Sequence, residues 1–183
     1  MINNKEVLIH QRQMKRIDAV IGIDPDVEKN GVAYLDCRTK DLKVTPMSFP
    51  DLLDYIRYAM RRAEITQTNI HIVIEAGWLN KSNWHLSPKD TKQSAAAKGN
   101  AAGRNHEVGR KIAEMCQHWN VSHELMKPLA LKIGGVNLWK SKDGKITHEE
   151  LAAITGITAK TNQEGRDAAL IAWVWAGFSV KKR

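Results

Sequence analysis

Two stretches of this chain read as buried strands, and each closes on an acid. Ile17–Asp24 (IDAVIGID) and Asn69–Gly77 (NIHIVIEAG) are near-continuous apolar runs of strand length. Runs without alternation belong to sheets covered on both faces rather than to half-solvated ones. A carboxylate at the end of such a strand is costly to bury unpaired, so it needs a partner or a metal ion. Asp24, in GIDPD, and Glu75, in VIEAG, are therefore the first candidates for chemistry.

The segments around these strands set the fold class. Gly31–Arg38 and Leu42–Phe49 follow the first strand through short polar connections, which reads as an antiparallel meander. Pro50–Glu64 carries Leu53, Ile56 and Met60 at helical spacing and leads into the second acidic strand. A helical crossover of this kind makes strands 17–24 and 69–75 parallel. Trp78–Thr91 is a polar loop, and Lys92–Trp119 a long helix with Gly99 and Gly103 as its weak points. Val121–Pro128 is a short strand stopped by proline, and Leu129–Lys145 reads as irregular and basic. Thr147–Thr155 opens with a capping-box pattern, Thr147 three residues before Glu150. The last helix spans 162–178, with Ile171, Val174, Trp175 and Phe178 on one stripe. The expectation is an α/β domain over 17–183: a mixed five-stranded sheet, three antiparallel strands then two parallel, flanked by helices. Residues 1–16 form a basic N-terminal arm ahead of it.

At 183 residues the chain suits one domain. Its 28 Lys and Arg against 20 Asp and Glu give a net charge of +8, a balance that favours a polyanionic partner. No apolar run approaches the roughly 20 residues that span a membrane, and the N-terminus lacks the apolar stretch of a signal peptide. A cytoplasmic protein is expected. Cys37 and Cys116 stand far apart, with no CxxC, and the seven histidines include no HxxxH or HExxH pair. Neither a disulfide framework nor a zinc site is supported, and the two thiols read as buried.

The final helix supplies the remaining acids. Glu164 and Asp167 lie three residues apart and share a helix face. They sit at the helix start, where the dipole favours negative charge, on the face continued by the apolar stripe. Singly, each acid has a plain reading: Asp24 starts a turn before Pro25, and Glu164 and Asp167 are helix-start acids. Together, four carboxylates aimed at one place repel strongly unless cations join them. Hard oxygen ligands without a Cys or His set favour Mg²⁺ or Mn²⁺ over zinc. Two such ions roughly 3.5–4 Å apart can activate a water and stabilise the leaving oxygen of a phosphoryl displacement. Asp26, Asp36, Asp51 and Asp54 read instead as turn or cap residues.

GIDPD followed four residues later by GVAYLD resembles the opening of the RNase H-like superfamily, and specifically of RuvC-type Holliday-junction resolvases. VIEAG resembles their second acidic strand, and Lys81, Asn83 and AAAKGNAAGRNHEVGRKIA the loop and helix after it. MKPLALK resembles a short strand ended by proline and followed by a basic helix, and EGRDAALIA the terminal acidic helix. The resemblance covers about Ile17 to Phe178. It implies an RNase H-like fold and a two-metal endonuclease, using two Mg²⁺ or Mn²⁺ ions held by Asp24, Glu75, Glu164 and Asp167. It also implies branched DNA as partner, a four-way junction above all, and a homodimer. Lys132 and Lys81 become phosphate contacts, and Trp78, with Asn83 nearby, stands where an aromatic can stack on an unpaired base. The plain reading of Trp78 is that it covers a core edge.

Two departures from the family pattern bear on substrate. Asp26 stands where the family usually has glycine, a position suited to positive φ. Gly134–Ile146 adds a basic, Trp-containing stretch. An RNA–DNA hybrid, a flap, or a non-cutting role in binding branched DNA are the alternatives.

Overall fold

The computed structural model describes residues 17–80, 89–129, 138–139 and 144–180, with the main chain of 132–133 and 136–137. The expected N-terminal arm, 1–16, lies outside the described residues. Five strands form one sheet: β1 (Ala19–Asp24), β2 (Asn30–Asp36), β3 (Leu42–Met47), β4 (Ile70–Glu75) and β5 (His123–Met126). Their order is β3-β2-β1-β4-β5. The first three pair antiparallel, while β4 lies parallel to both β1 and β5. This is the mixed sheet expected from the helical crossover.

Four α-helices cover the sheet among the described residues: α1 (Phe49–Thr66), α2 (Lys92–His118), α3 (His148–Thr155) and α4 (Gln163–Trp175). Side chains alternate along the central strands, and so do the two cores. Ile21 and Ile23 of β1, with Ile72 and Ile74 of β4, pack with Leu52 and Ile56 of α1 and Ile112 of α2. Val20 and Val73 face the other way, onto α3 and α4. A period of two places Asp24 and Glu75 on that second face, the one α4 covers. Because Ile23 pairs with Ile74, the two acids are the next neighbours along adjacent strands.

Helix α4 approaches this face unusually closely. A Cβ on Gly22 would strike the Ala168 carbonyl and crowd Ala172, and one on Gly31 would strike the Glu164 carbonyl. Small residues therefore make the closest seat, and the expected stripe packs beside them: Ile171 belongs to the core, and Val174, Trp175 and Phe178 lie against it. Ile171 and Trp173 are buried, Val174 and Trp175 only half so. Phe178 lies beyond the helix, because Gly177 takes a left-handed φ of 78° and the amides of Gly177 and Phe178 close back onto Val174 and Trp173. At the far end the Trp175 ring stacks on His71, 4.3 Å between centroids. We expect Gly31→Ala to cost about 2 kcal/mol or more, as overpacking does. An unchanged urea midpoint would show that α4 is not seated on β2.

Two local expectations need correction. Part of the stretch read as irregular forms a small antiparallel hairpin, β6 (Lys132–Ile133) with β7 (Val136–Asn137). That hairpin also replaces the basic helix implied after Pro128. Helix α2, in contrast, runs unbroken through Gly99 and Gly103. Thr147 and Glu150 form the capping box of α3. Among the described residues, no helix is long and apolar enough to cross a membrane.

Candidate active site

The C-terminal ends of β1 and β4 and the first turn of α4 meet at one edge of the domain, and the acids meet with them. Burial, followed by repulsion from Glu75 and Asp167, holds the Asp24 carboxyl well above its ordinary range. Burial, then repulsion from Asp167, pushes Glu75 from an ordinary 4.5 up to about 7. Both shifts follow from crowding charge where water is scarce. Glu164 acts on Asp24 least strongly of these neighbours. Its Oε2 accepts a hydrogen bond from Asn162 Nδ2 at 2.8 Å. Asp24, Glu75 and Asp167 thus form the centre, and Glu164 stands at the rim.

Among the described residues, one cation enters this cluster. Lys145 Nζ donates to Asp167 Oδ2 at 2.9 Å, with the lysine side chain half exposed and that of Asp167 18% exposed. Burial works against the ammonium charge, but Asp167, with Asp24 and Glu75 behind it, outweighs burial and raises the lysine pKa. In the sequence, Lys145 is only the last residue of an irregular, basic stretch. Nothing local marks it, since its role depends on a contact across 22 positions of chain. The other Asp167 oxygen, Oδ1, accepts from Gln163 Nε2 at 2.8 Å.

The donor chemistry fits a hard divalent cation: among the described residues, three crowded carboxylates face one ammonium. The side chains as placed are not closed around an ion. Among the described residues, no three acidic, histidine or cysteine side chains stand ready to hold a metal. Asp24, Glu75 and Asp167 are the residues that would hold one, with Glu164 as a further oxygen donor.

The loop after Asp24 is pinned by Asp26. Its Oδ1 accepts from the amides of Glu28 and Lys29, and its Oδ2 from Asn105 Nδ2 at 2.9 Å. Asn105 Oδ1 in turn accepts from the Val27 amide. Among the described residues, positive φ outside glycine occurs at Lys40, Gln67 and Asn120, and not at Asp26. The left-handed conformation suggested for it is therefore corrected: its carboxylate caps a turn and ties that turn to α2.

Trp78 lies in a short 3-10 turn, Gly77–Leu79, half-buried against Gly109. His106 meets its ring edge-on, and the Arg110 guanidinium stands 5.4 Å from the ring centroid. The indole packs on Gly109 of α2. Lys81 and Asn83 lie outside the described residues, as does the Lys132 side chain. Cys116 is buried and Cys37 half-buried, both free.

Strand order, the crossover between β1 and β4, and an acidic helix seated over both define an RNase H-like α/β domain. No protein-family model matches the chain, and no curated protein matches its sequence. The chain is similar in structure to Thermus thermophilus RuvC, alone (16% identity, 87% of this chain and 97% of that one, TM-score 0.42). It is similar also to T. thermophilus RuvC in complex with Holliday junction substrate (16% identity, 84% and 89%, TM-score 0.44). A third likeness is to the Fowlpox virus resolvase with Holliday junction DNA (10% identity, 87% and 97%, TM-score 0.40).

Proposed function

We propose that this protein is a divalent-metal-dependent endonuclease of branched DNA, with the four-way junction as its preferred substrate. The observation that carries this reading is the meeting of Asp24, Glu75 and Asp167, from two strand ends and a helix start, in a partly buried cluster. Asp24 and Glu75, each pushed up by burial and by the Asp167 carboxylate, form an unfavourable arrangement unless a cation is its purpose. Bound Mg²⁺ or Mn²⁺, two ions in the fullest form, would lower the pKa of a water and stabilise the leaving oxygen of a phosphodiester.

The chain's own groups do the rest. Asp24, Glu75 and Asp167 hold the ions, and Glu164 joins from the rim. The net charge of +8 draws the polyanion. Lys81 and Lys132 contact phosphates in this reading, with Asn83 and Trp78 near the branch point. Paired cuts across a two-fold junction need two sites, so the active species is a homodimer.

The test incubates the full chain with a labelled four-way junction, a linear duplex, a flap and an RNA–DNA hybrid, with Mg²⁺, Mn²⁺ or EDTA. Cutting that needs metal and favours the junction is expected. Preference for the hybrid or flap would move the substrate and leave the chemistry in place. Junction binding without any cutting, by folded protein with metal, would make this a binding protein and end the nuclease reading.

A further inference from the structure

The hydrogen bonds around the first turn of α4 form a connected circuit that ends on Asp167. Arg166 Nε donates to the Ile146 carbonyl at 2.9 Å, and Nη1 to the Thr161 carbonyl at 2.8 Å. Arg166 Nη2 donates to Gln163 Oε1 at 2.7 Å. An arginine has no acceptor, so this last bond settles which way the Gln163 amide points. Its oxygen faces the guanidinium, and its nitrogen is left to donate to Asp167 Oδ1 at 2.8 Å.

The same guanidinium also governs the other group on Asp167. Ile146, whose carbonyl it holds, follows Lys145 directly, and Lys145 Nζ donates to Asp167 Oδ2. Both oxygens of Asp167 are thus addressed by groups that Arg166 places, one through an amide and one through the main chain. The two donors differ in kind. Lys145 brings a positive charge, which competes with a metal ion for the carboxylate. Gln163 is neutral, so it fixes the carboxylate's orientation without offsetting its charge.

We infer that Gln163 and Arg166 are positioning residues of the acidic site: Arg166 sets the direction of the Gln163 amide, and that amide sets the direction in which Asp167 presents its free lone pairs to a divalent ion. The inference rests on the metal-site reading above. Arg166 suits this role because its planar fork holds three separate donor nitrogens in fixed directions, whereas an ammonium offers its three donors from one rotatable nitrogen. Groups that orient a metal ligand are typically worth about 10–100-fold in metal affinity.

Mn²⁺ binding to the full chain, by calorimetry or electron paramagnetic resonance, tests this alongside thermal unfolding of the metal-free protein. Gln163→Leu, close in size but without the amide, is expected to weaken Mn²⁺ binding roughly tenfold while the unfolding temperature barely moves. Arg166→Lys keeps the charge and loses the fork, and is expected to weaken binding similarly. Wild-type affinity in Arg166→Lys would show that charge alone matters and overturn the role of Arg166. Wild-type affinity in Gln163→Leu would overturn the inference while leaving a metal nuclease intact. Should the leucine variant not fold, Gln163→Asn, polar but too short to reach Asp167, carries the same expectation. A wild-type chain that binds no Mn²⁺ would overturn the inference and the metal reading together.

Discussion

Asp24→Asn is expected to reduce junction cleavage by roughly a thousandfold, the scale of losing a group that acts on the charge of a transition state. Junction binding should stay within about tenfold, because phosphate contacts elsewhere carry most of the affinity. The substitution keeps the shape of the side chain and removes a charge that burial and three neighbouring carboxylates oppose. The metal-free variant should therefore unfold at a higher temperature than wild type at pH 8. A site that loses activity while gaining stability is one held against its own repulsion for function. Single-turnover cleavage with metal, binding in EDTA and a thermal melt test the three parts. Near wild-type turnover in Asp24→Asn would place the chemistry elsewhere.

The second large effect is on stability as a function of pH and metal. Glu75 is pushed from 4.5 up to about 7 in the folded state. Below pH 4.5 the group is protonated whether the chain is folded or not, and the stability linked to that proton is fully present. As pH rises through 7 the folded protein must carry the charge, and that stability is lost. The shift corresponds to about 3 kcal/mol between the two ends of the window. Denaturant titrations in EDTA, from pH 5 to pH 8.5, should show this fall. The Glu75→Gln variant should lack that component, which separates it from every other titrating group. Millimolar Mg²⁺ or Mn²⁺ at pH 8 should restore stability, by about 2.7 kcal/mol at one hundred times the dissociation constant. If wild type and Glu75→Gln lose stability in parallel across the window, Glu75 does not sit in the crowded site described above.

Local sequence carried much of the architecture because its signals were local. The apolar runs of β1 and β4 need no tertiary partner to read as buried strands. A helix between them implies their parallel sense, and Thr147 with Glu150 marks a helix start within four residues. The stripe of large residues on α4 showed only part of its contact, for a physical reason. Periodicity rewards large apolar side chains, whereas Ala168 and Ala172 seat this helix by being small against Gly22. Close approach leaves almost no hydrophobic signal in a sequence. The β6–β7 hairpin escaped for a related reason, since strands of two residues show no period.

The acids divide along the same line. Sequence alone marked Asp24 and Glu75, because each interrupts an apolar run at its end, and Glu164 with Asp167, because three residues is nearly one helical turn. It determined that the chain carries four candidate carboxylates on a mixed sheet with helical cover. Glu164, at a frayable helix start, is the least certain of the four by sequence alone, and its place at the rim of Asp24, Glu75 and Asp167 came with the tertiary structure. So did Lys145, Gln163 and Arg166, whose partners lie across the helix turn or 20 and more positions away. A hydrogen bond of that kind depends on where a carbonyl or amide comes to rest in space. No spacing along the chain records it, and so the groups that orient the site were visible only in the fold.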